Sequence, residues 1–539
     1  MKPLPPMDDN PSEAAPEQIQ PLPSPTVPAT SEEQAPPAPP PPPPPADTAT
    51  ALPPPPTATA TALPPPPTVA QQQSPIYVRP SPLDESFTQA MRSDFVGDIA
   101  AYGDQMPRYD LQYRIFPDQA FLEGKVTIEF PNRTGIPLQN VVLRLYPNFP
   151  QDAFGNGGNT RMDVTAVRVA GQEVVNSLIA QDTALMVPFS VPLQPGEWTL
   201  LELDFNATFI SWEDGNWPLP SYYPMLAVFD QNEGTWRTDV TDFVDHVFAE
   251  SALYSAEVTV PTGLTLLASG TTINTVPQAD GTTTHTLRTG PVREFAMVVG
   301  NFESVQRQGG DTGDVLVTVY KVVGSDLDIG QVADVAATSI ANYDRRFGRY
   351  PYNELEAYVF RGGYRGGWEY PGMFMLSCET HIDAGRRYVT AHEVAHQWWY
   401  NVIGNDIYRH PWLDEALAQY SGIIYAEDVA GADVAASDWE REVMQRYRPA
   451  LQEGDYPIGL AIYQYPNFNV YFHTVYGKGP IFLLELRNQL GDDVFFRALQ
   501  LYYEKHRYQV SQPHFVQEAF EEASGRDLQE LFQLWVYGS

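Results

Sequence analysis

The sequence predicts two folded domains in series, an all-β sandwich-like domain followed by an α+β domain, behind a disordered proline-rich N-terminal stretch. Three observations predict this. Of the 52 prolines, 26 fall in residues 1–73. Between about 106 and 304, apolar and polar residues alternate with a period of two, and helical periodicity is nearly absent. Beyond Asp314 the pattern becomes one of helices with a few short strands. The boundaries that follow are 1–73 for the spacer, 74–304 for the β domain and 305–539 for the α+β domain.

Residues 1–73 carry poly-Pro runs and a perfect repeat, Thr-Ala-Thr-Ala-Leu-Pro-Pro-Pro-Pro-Thr, at 48–57 and 59–68. With almost nothing to bury, such a segment cannot offset its ordering entropy, and a polyproline-II spacer of up to roughly 200 Å is expected. Residues 74–105 are expected to approach the first domain through one short helix at 83–100. The β domain is read from runs such as Gln112-Tyr-Arg-Ile-Phe, Lys125-Val-Thr-Ile-Glu-Phe and Val141-Val-Leu-Arg-Leu-Tyr. Turn clusters such as Pro131-Asn-Arg-Thr-Gly and Asp280-Gly-Thr-Thr separate them. In the second domain, 315–323 reads as a strand, 328–347 as an amphipathic helix and 355–360 as a further strand. The continuous apolar run 372–378 reads as a strand whose side chains pack in the core and whose edge could take a peptide backbone, with Cys378 a buried, unreactive thiol. From Arg386 onward the pattern is helical, punctuated at Gly404, Pro411, Gly431, Gly477 and Gly491.

The net charge is −35, leaving −29 on residues 74–539 once the seven acids and one lysine of 1–73 are set aside. Nucleic acid and anionic membrane would both be repelled and are excluded as partners. The single cysteine, Cys378, allows no intrachain disulfide. No apolar run is long enough for a membrane span. Met1-Lys2 leads into Pro-Leu-Pro-Pro rather than into an apolar signal region.

One segment carries chemistry on its face: Thr390-Ala-His-Glu-Val-Ala-His contains His-Glu-x-x-His at 392–396. On a helix, i and i+4 share a face, so His392 and His396 can reach one ion, with Glu393 beside it as general base. After eighteen intervening residues beyond His396 stands Glu415, within Pro411-Trp-Leu-Asp-Glu-Ala-Leu-Ala-Gln-Tyr. Gly404 can end the first helix and Pro411 suits the first turn of the next, which brings Glu415 over the two histidines. Two His and one Glu leave a fourth tetrahedral position open, as a catalytic zinc site requires, and one Zn2+ per chain is expected.

With its His392-Glu393-x-x-His396, eighteen residues and then Glu415 preceded by Trp412-Leu413, the chain resembles the gluzincin aminopeptidases of the aminopeptidase N and leukotriene hydrolase type. In thermolysin-like endopeptidases the gap is one residue longer, and an Asp follows the ligand Glu four residues on, where this chain has Gln419. Gly366-Gly367-Trp368-Glu369-Tyr370 is similar to that family's Gly-x-Met-Glu-Asn motif, with Trp368 for Met and Tyr370 for Asn. The resemblance implies that Gly366, Gly367 and Glu369 bind substrate, Glu369 taking the free α-ammonium. Tyr476-Gly477-Lys478-Gly479 resembles the family's Tyr-x-Lys-Gly segment, which makes Tyr476 the donor to the tetrahedral oxyanion.

The resemblance covers residues 106–539 and implies a saddle-like β domain and a thermolysin-like catalytic domain. It also implies that the family's C-terminal helical domain is missing after 532–538. The function it implies is a zinc-dependent aminopeptidase acting on peptides with a free N-terminus. An endopeptidase of the same chemistry, an epoxide hydrolase on the same site and an inactive binding or scaffold relative remain the alternatives. A proline-rich stalk before such an enzyme suits an extracytoplasmic or cell-surface protein, with the cytoplasm as the alternative. His246, His285, His381, His410, His473, His506 and His514 show no ligand spacing and are given surface or core roles.

Overall fold

The computed structural model describes residues 83–150, 159–212, 215–240, 247–362, 366–378 and 384–538. The proline-rich spacer of 1–73, His246 and His381 lie outside the described residues. The approach segment differs from the single helix expected at 83–100. It forms 3-10 turns at Glu85–Ala90 and Ser93–Phe95 and a short α-helix, Val96–Tyr102. Arg92 explains the break. Its buried guanidinium binds Asp311, Asp314 and Asp344 and the Tyr350 carbonyl, and these tertiary bonds outweigh a local helical preference.

The alternation seen in the sequence is a sandwich of sheets. An eight-stranded sheet runs in the order Thr271–Pro277, Thr282–Arg288, Leu253–Pro261, Arg108–Phe116, Phe121–Pro131, Trp198–Thr208, Arg161–Val169 and Gln172–Glu173. Its neighbours pair antiparallel, apart from the parallel pair Arg108–Phe116 and Leu253–Pro261. Along Arg108–Phe116 every second side chain is buried, and Tyr109, Leu111, Tyr113 and Ile115 face inward. They join the core shared with Val141, Leu143 and Val187 of a four-stranded sheet.

A five-stranded mixed sheet opens the second domain, in the order Phe302–Gly309, Val315–Val322, Glu354–Arg361, Met373–Cys378 and Gly367–Tyr370. The apolar strand Met373–Cys378 is buried along its length, as core packing requires, but it is interior to the sheet and has no edge to offer a peptide. The chain turns back after Tyr370 so that Gly367–Tyr370 pairs antiparallel on its outer side and becomes the edge. Cys378 is buried. Helix Gly330–Phe347 lies along the sheet, and helices make up most of the remainder. No helix among the described residues is long and apolar enough to cross a membrane.

Candidate metal centre

Helix Ala384–Ala395 carries His392 and Glu393, and His396 follows one residue past its end. Helix Trp412–Tyr425 carries Glu415 in its first turn, entered through Pro411. Tyr343 ties the two helices together, its hydroxyl donating to Ala391 O at 2.9 Å and Ser421 O at 3.0 Å. Gly404, expected to terminate the first helix, does not. That helix ends at Ala395, and Gly404 sits in a short strand beside Val510. Glycine is required there for another reason: a Cβ would fall 2.0 Å from the guanidinium carbon of Arg293.

The arrangement brings His392, His396 and Glu415 together. Their facing atoms are separated by 3.0 Å (His392 Nε2 to His396 Nε2), 3.4 Å (His392 Nε2 to Glu415 Oε2) and 3.5 Å (His396 Nε2 to Glu415 Oε2). Zn–N and Zn–O bonds of about 2.0–2.1 Å put tetrahedral ligand atoms roughly 3.3 Å apart, so the triangle fits that ion. Glu415 Oε2 is buried and accepts no hydrogen bond of ordinary geometry, although it faces both nitrogens. His396 Nδ1 lies 3.0 Å from the Trp399 carbonyl. With that nitrogen protonated, Nε2 presents its lone pair to the cluster. Burial alone would raise the Glu415 carboxyl; the His392 and His396 imidazoles overcome it and hold the group well below its usual range. Burial opposes charge on His396 too, but the Glu415, Glu393 and Asp414 carboxylates prevail and raise it to about 9.

Glu369, Glu393, Gly367 and Tyr476, also expected at the site, converge here. Ligand-type atoms of Glu369, Glu393 and His396 lie within 4.8 Å of one another, all in buried side chains. Glu369 arrives on the edge strand Gly367–Tyr370, which runs past the metal helix. Gly367 touches Glu393 directly, because a Cβ there would fall 2.5 Å from its carboxyl carbon. Gly366 contributes its carbonyl to the sheet, accepting from Ser377 N at 3.0 Å. Tyr476 stands in the helical turn His473–Lys478, its ring stacked 6.2 Å from that of His392. Burial and the neighbouring Glu415 carboxylate raise its hydroxyl well above the ordinary tyrosine value, so it stays protonated and can donate. Lys478 turns away to the Asp455 and Tyr456 carbonyls.

Two contributors went unread in the sequence. Gln397 is fully buried, donates to Tyr370 O at 3.0 Å and accepts from Gly372 N at 2.9 Å. It pins the hairpin that carries Glu369 to the metal helix. Trp212 of the β domain packs its ring 6.5 Å from that of Trp368, against the same strand. Neither has a spacing that would announce it. Of the remaining histidines, His473 pairs with Glu453 at 2.8 Å, and His506 and His514 pack against Phe515.

Residues 375–535 match the family model of the peptidase family M1 domain. Aminopeptidase 2 of Candida albicans is 26% identical over 258 residues, 45% of this chain and 27% of that protein. Aminopeptidase N of Lactococcus lactis subsp. lactis is 26% identical over 174 residues, 31% of this chain and 20% of that protein. The chain thus spans less than a third of the length of these curated relatives. Among solved structures, an M1 zinc metallopeptidase from Deinococcus radiodurans superposes with a TM-score of 0.60 at 21% identity, covering 81% of this chain and 94% of that one.

Proposed function

We propose that the chain is a member of peptidase family M1 through its catalytic segment and that it is a zinc-dependent aminopeptidase. The observation that carries the reading is the closeness of Glu369 to Glu393 and His396, within 4.8 Å, beside the His392–His396–Glu415 triangle. A carboxylate beyond the general base offers a partner to one buried ammonium, and so counts off a single residue from the substrate's N-terminus.

His392, His396 and Glu415 would hold the ion. Zinc bound there would acidify a water molecule and polarise the scissile carbonyl. Glu393 takes the proton of the attacking water and delivers it to the leaving amine. The Tyr476 hydroxyl donates to the carbonyl oxygen as negative charge develops on it. Glu369 holds the α-ammonium, and the edge strand Gly367–Tyr370 offers backbone groups to an extended peptide. Peptides are the substrate class proposed. One Deinococcus radiodurans neighbour was solved as a mutant bound to a Tyr-Ser-Ala substrate.

The domain assignment that goes with this reading is 74–304 for the β domain and 305–539 for the catalytic one, the junction falling inside strand Phe302–Gly309. An extracytoplasmic or cell-surface location is part of the proposal, supported by the proline-rich stretch.

The test is hydrolysis of an alanyl or leucyl chromogenic amide beside its N-acetylated twin, with and without a zinc chelator. Chelator-sensitive cleavage of the free amine alone is expected. Cleavage of both would make the protein an endopeptidase of the same chemistry, and cleavage of neither by zinc-loaded protein would favour the binding or scaffold reading.

A further inference from the structure

Two adjacent residues of the β part, Arg293 and Glu294, reach the loop that follows the second ligand histidine. Arg293 is buried and gives its donors to backbone carbonyls: Nε to Tyr400 O at 2.7 Å, Nη1 to Ala249 O at 3.1 Å, and Nη2 to Val402 O at 3.3 Å and Gln509 O at 2.5 Å. Glu294 Oε1 accepts from the Tyr400 hydroxyl at 2.6 Å, and Oε2 accepts from the Ser221 hydroxyl. Tyr400 is therefore gripped at its carbonyl and at the tip of its side chain.

That grip acts on a strained residue. Tyr400 has φ +108°, a region that L side chains rarely enter. Rotation about this bond swings the Trp399–Tyr400 peptide plane. The far end of that plane is the Trp399 carbonyl, 3.0 Å from His396 Nδ1, and its near end is Tyr400 N, which donates to Ile403 O at 2.8 Å. A metal-binding imidazole takes its tautomer and ring orientation from the group its other nitrogen meets.

We propose that Arg293 and Glu294 are positioning residues for His396, holding Tyr400 at its strained φ so that the Trp399 carbonyl fixes the imidazole. The proposal rests on the reading of His396 as a zinc ligand. Packing alone would not require a buried guanidinium spread over four carbonyls, with a glycine kept at 404 to make room for it.

The experiment uses the full chain and four variants: Tyr400→Phe, Glu294→Leu, the two combined, and the conservative Glu294→Gln, whose amide oxygen can still accept from Tyr400. Zinc affinity is measured by competition with a fluorescent chelator, the visible spectrum is recorded with Co2+ in place of zinc, and Tm is taken on metal-stripped protein. Tyr400→Phe and Glu294→Leu are expected to lose about tenfold in affinity, to shift the cobalt bands, and to show losses that do not add in the double variant. Glu294→Gln should match the wild type. If Tyr400→Phe and Glu294→Leu bind zinc as tightly as the wild type with unshifted cobalt bands, whatever their Tm, the residues only join the two domains and the proposal falls. A wild-type chain that bound neither metal would bring down the zinc reading and the proposal with it.

Discussion

The Cα of Gly367 rests against the Glu393 side chain so closely that a methyl group on it would lie 2.5 Å from the carboxyl carbon and 2.6 Å from Cγ and Oε1. The edge strand and the metal helix approach to this distance because position 367 has no side chain. Gly367→Ala should therefore push the Glu393 carboxylate aside while leaving the metal ligands in place. A displacement of about 1 Å at a reacting group can cost on the order of a hundredfold in rate. The expected result is a kcat lowered by roughly that factor, with zinc content and Tm close to wild type. An alanine variant with unchanged kcat would show that Glu393 does not act from where it stands.

Glu369 should act on substrates only through their free amine. Replacing it with alanine leaves a buried ammonium without its partner, and kcat/KM for an aminoacyl amide should fall by on the order of a hundredfold or more. The N-acetylated twin has no ammonium to bind. Whatever slow cleavage it undergoes should be the same in the variant and the wild type. Equal losses on both substrates would remove the amine-binding role.

The hydroxyl of Tyr476 should matter in the transition state and little before it. Tyr476→Phe keeps the ring that stacks at 6.2 Å on His392, so metal binding should be retained. Loss of one oxyanion donor lowers kcat by about a hundredfold to a thousandfold. Steady-state kinetics should show that fall with KM nearly unchanged, and a rise in KM alone would instead place Tyr476 in ground-state binding.

What could be read from the sequence divides according to how local the signal is. His392, Glu393 and His396 lie within one helical turn, so the period of the helix already groups them. Glu415 needs only a short connection between two helices. Glu369 and Tyr476 come from distant segments and could be named only by resemblance. The grip of Arg293 and Glu294 on Tyr400, the Gln397 bridge and the Gly367 contact depend on strands and helices meeting across the fold, and no periodicity records that. The strand Met373–Cys378 shows the same limit. A continuous apolar run says that a strand is buried but does not give its place in the sheet, and the hairpin through Pro371 and Gly372 put Gly367–Tyr370 outside it. At 83–100 the helical pattern was overridden by Arg92, whose partners lie more than two hundred residues away.

Glu356 predicts a pH dependence of stability unrelated to the metal. It sits in the central strand, Glu354–Arg361, of the five-stranded sheet, accepting from Tyr320 OH at 2.9 Å through Oε1 and from Ala268 N at 3.0 Å through Oε2. Burial, against the pull of these two bonds, raises its carboxyl to about 7 from the usual 4.5. The folded state thus holds a proton between those values that the unfolded chain has released. Stability should fall as pH rises from about 4.5 toward 7 and then level off. The gap corresponds to at most about 3 kcal/mol, trimmed by the solvent that reaches this partly buried residue. Glu356→Gln removes the titration while keeping the shape of the protonated carboxyl: its amide oxygen can accept from Ala268 N while its NH2 donates to the Tyr320 hydroxyl oxygen. Denaturant unfolding of metal-stripped protein should find the variant more stable than wild type at pH 8 and no more stable at pH 5. A difference that is the same at both pH values would mean that Glu356 keeps an ordinary carboxylate pKa in the fold.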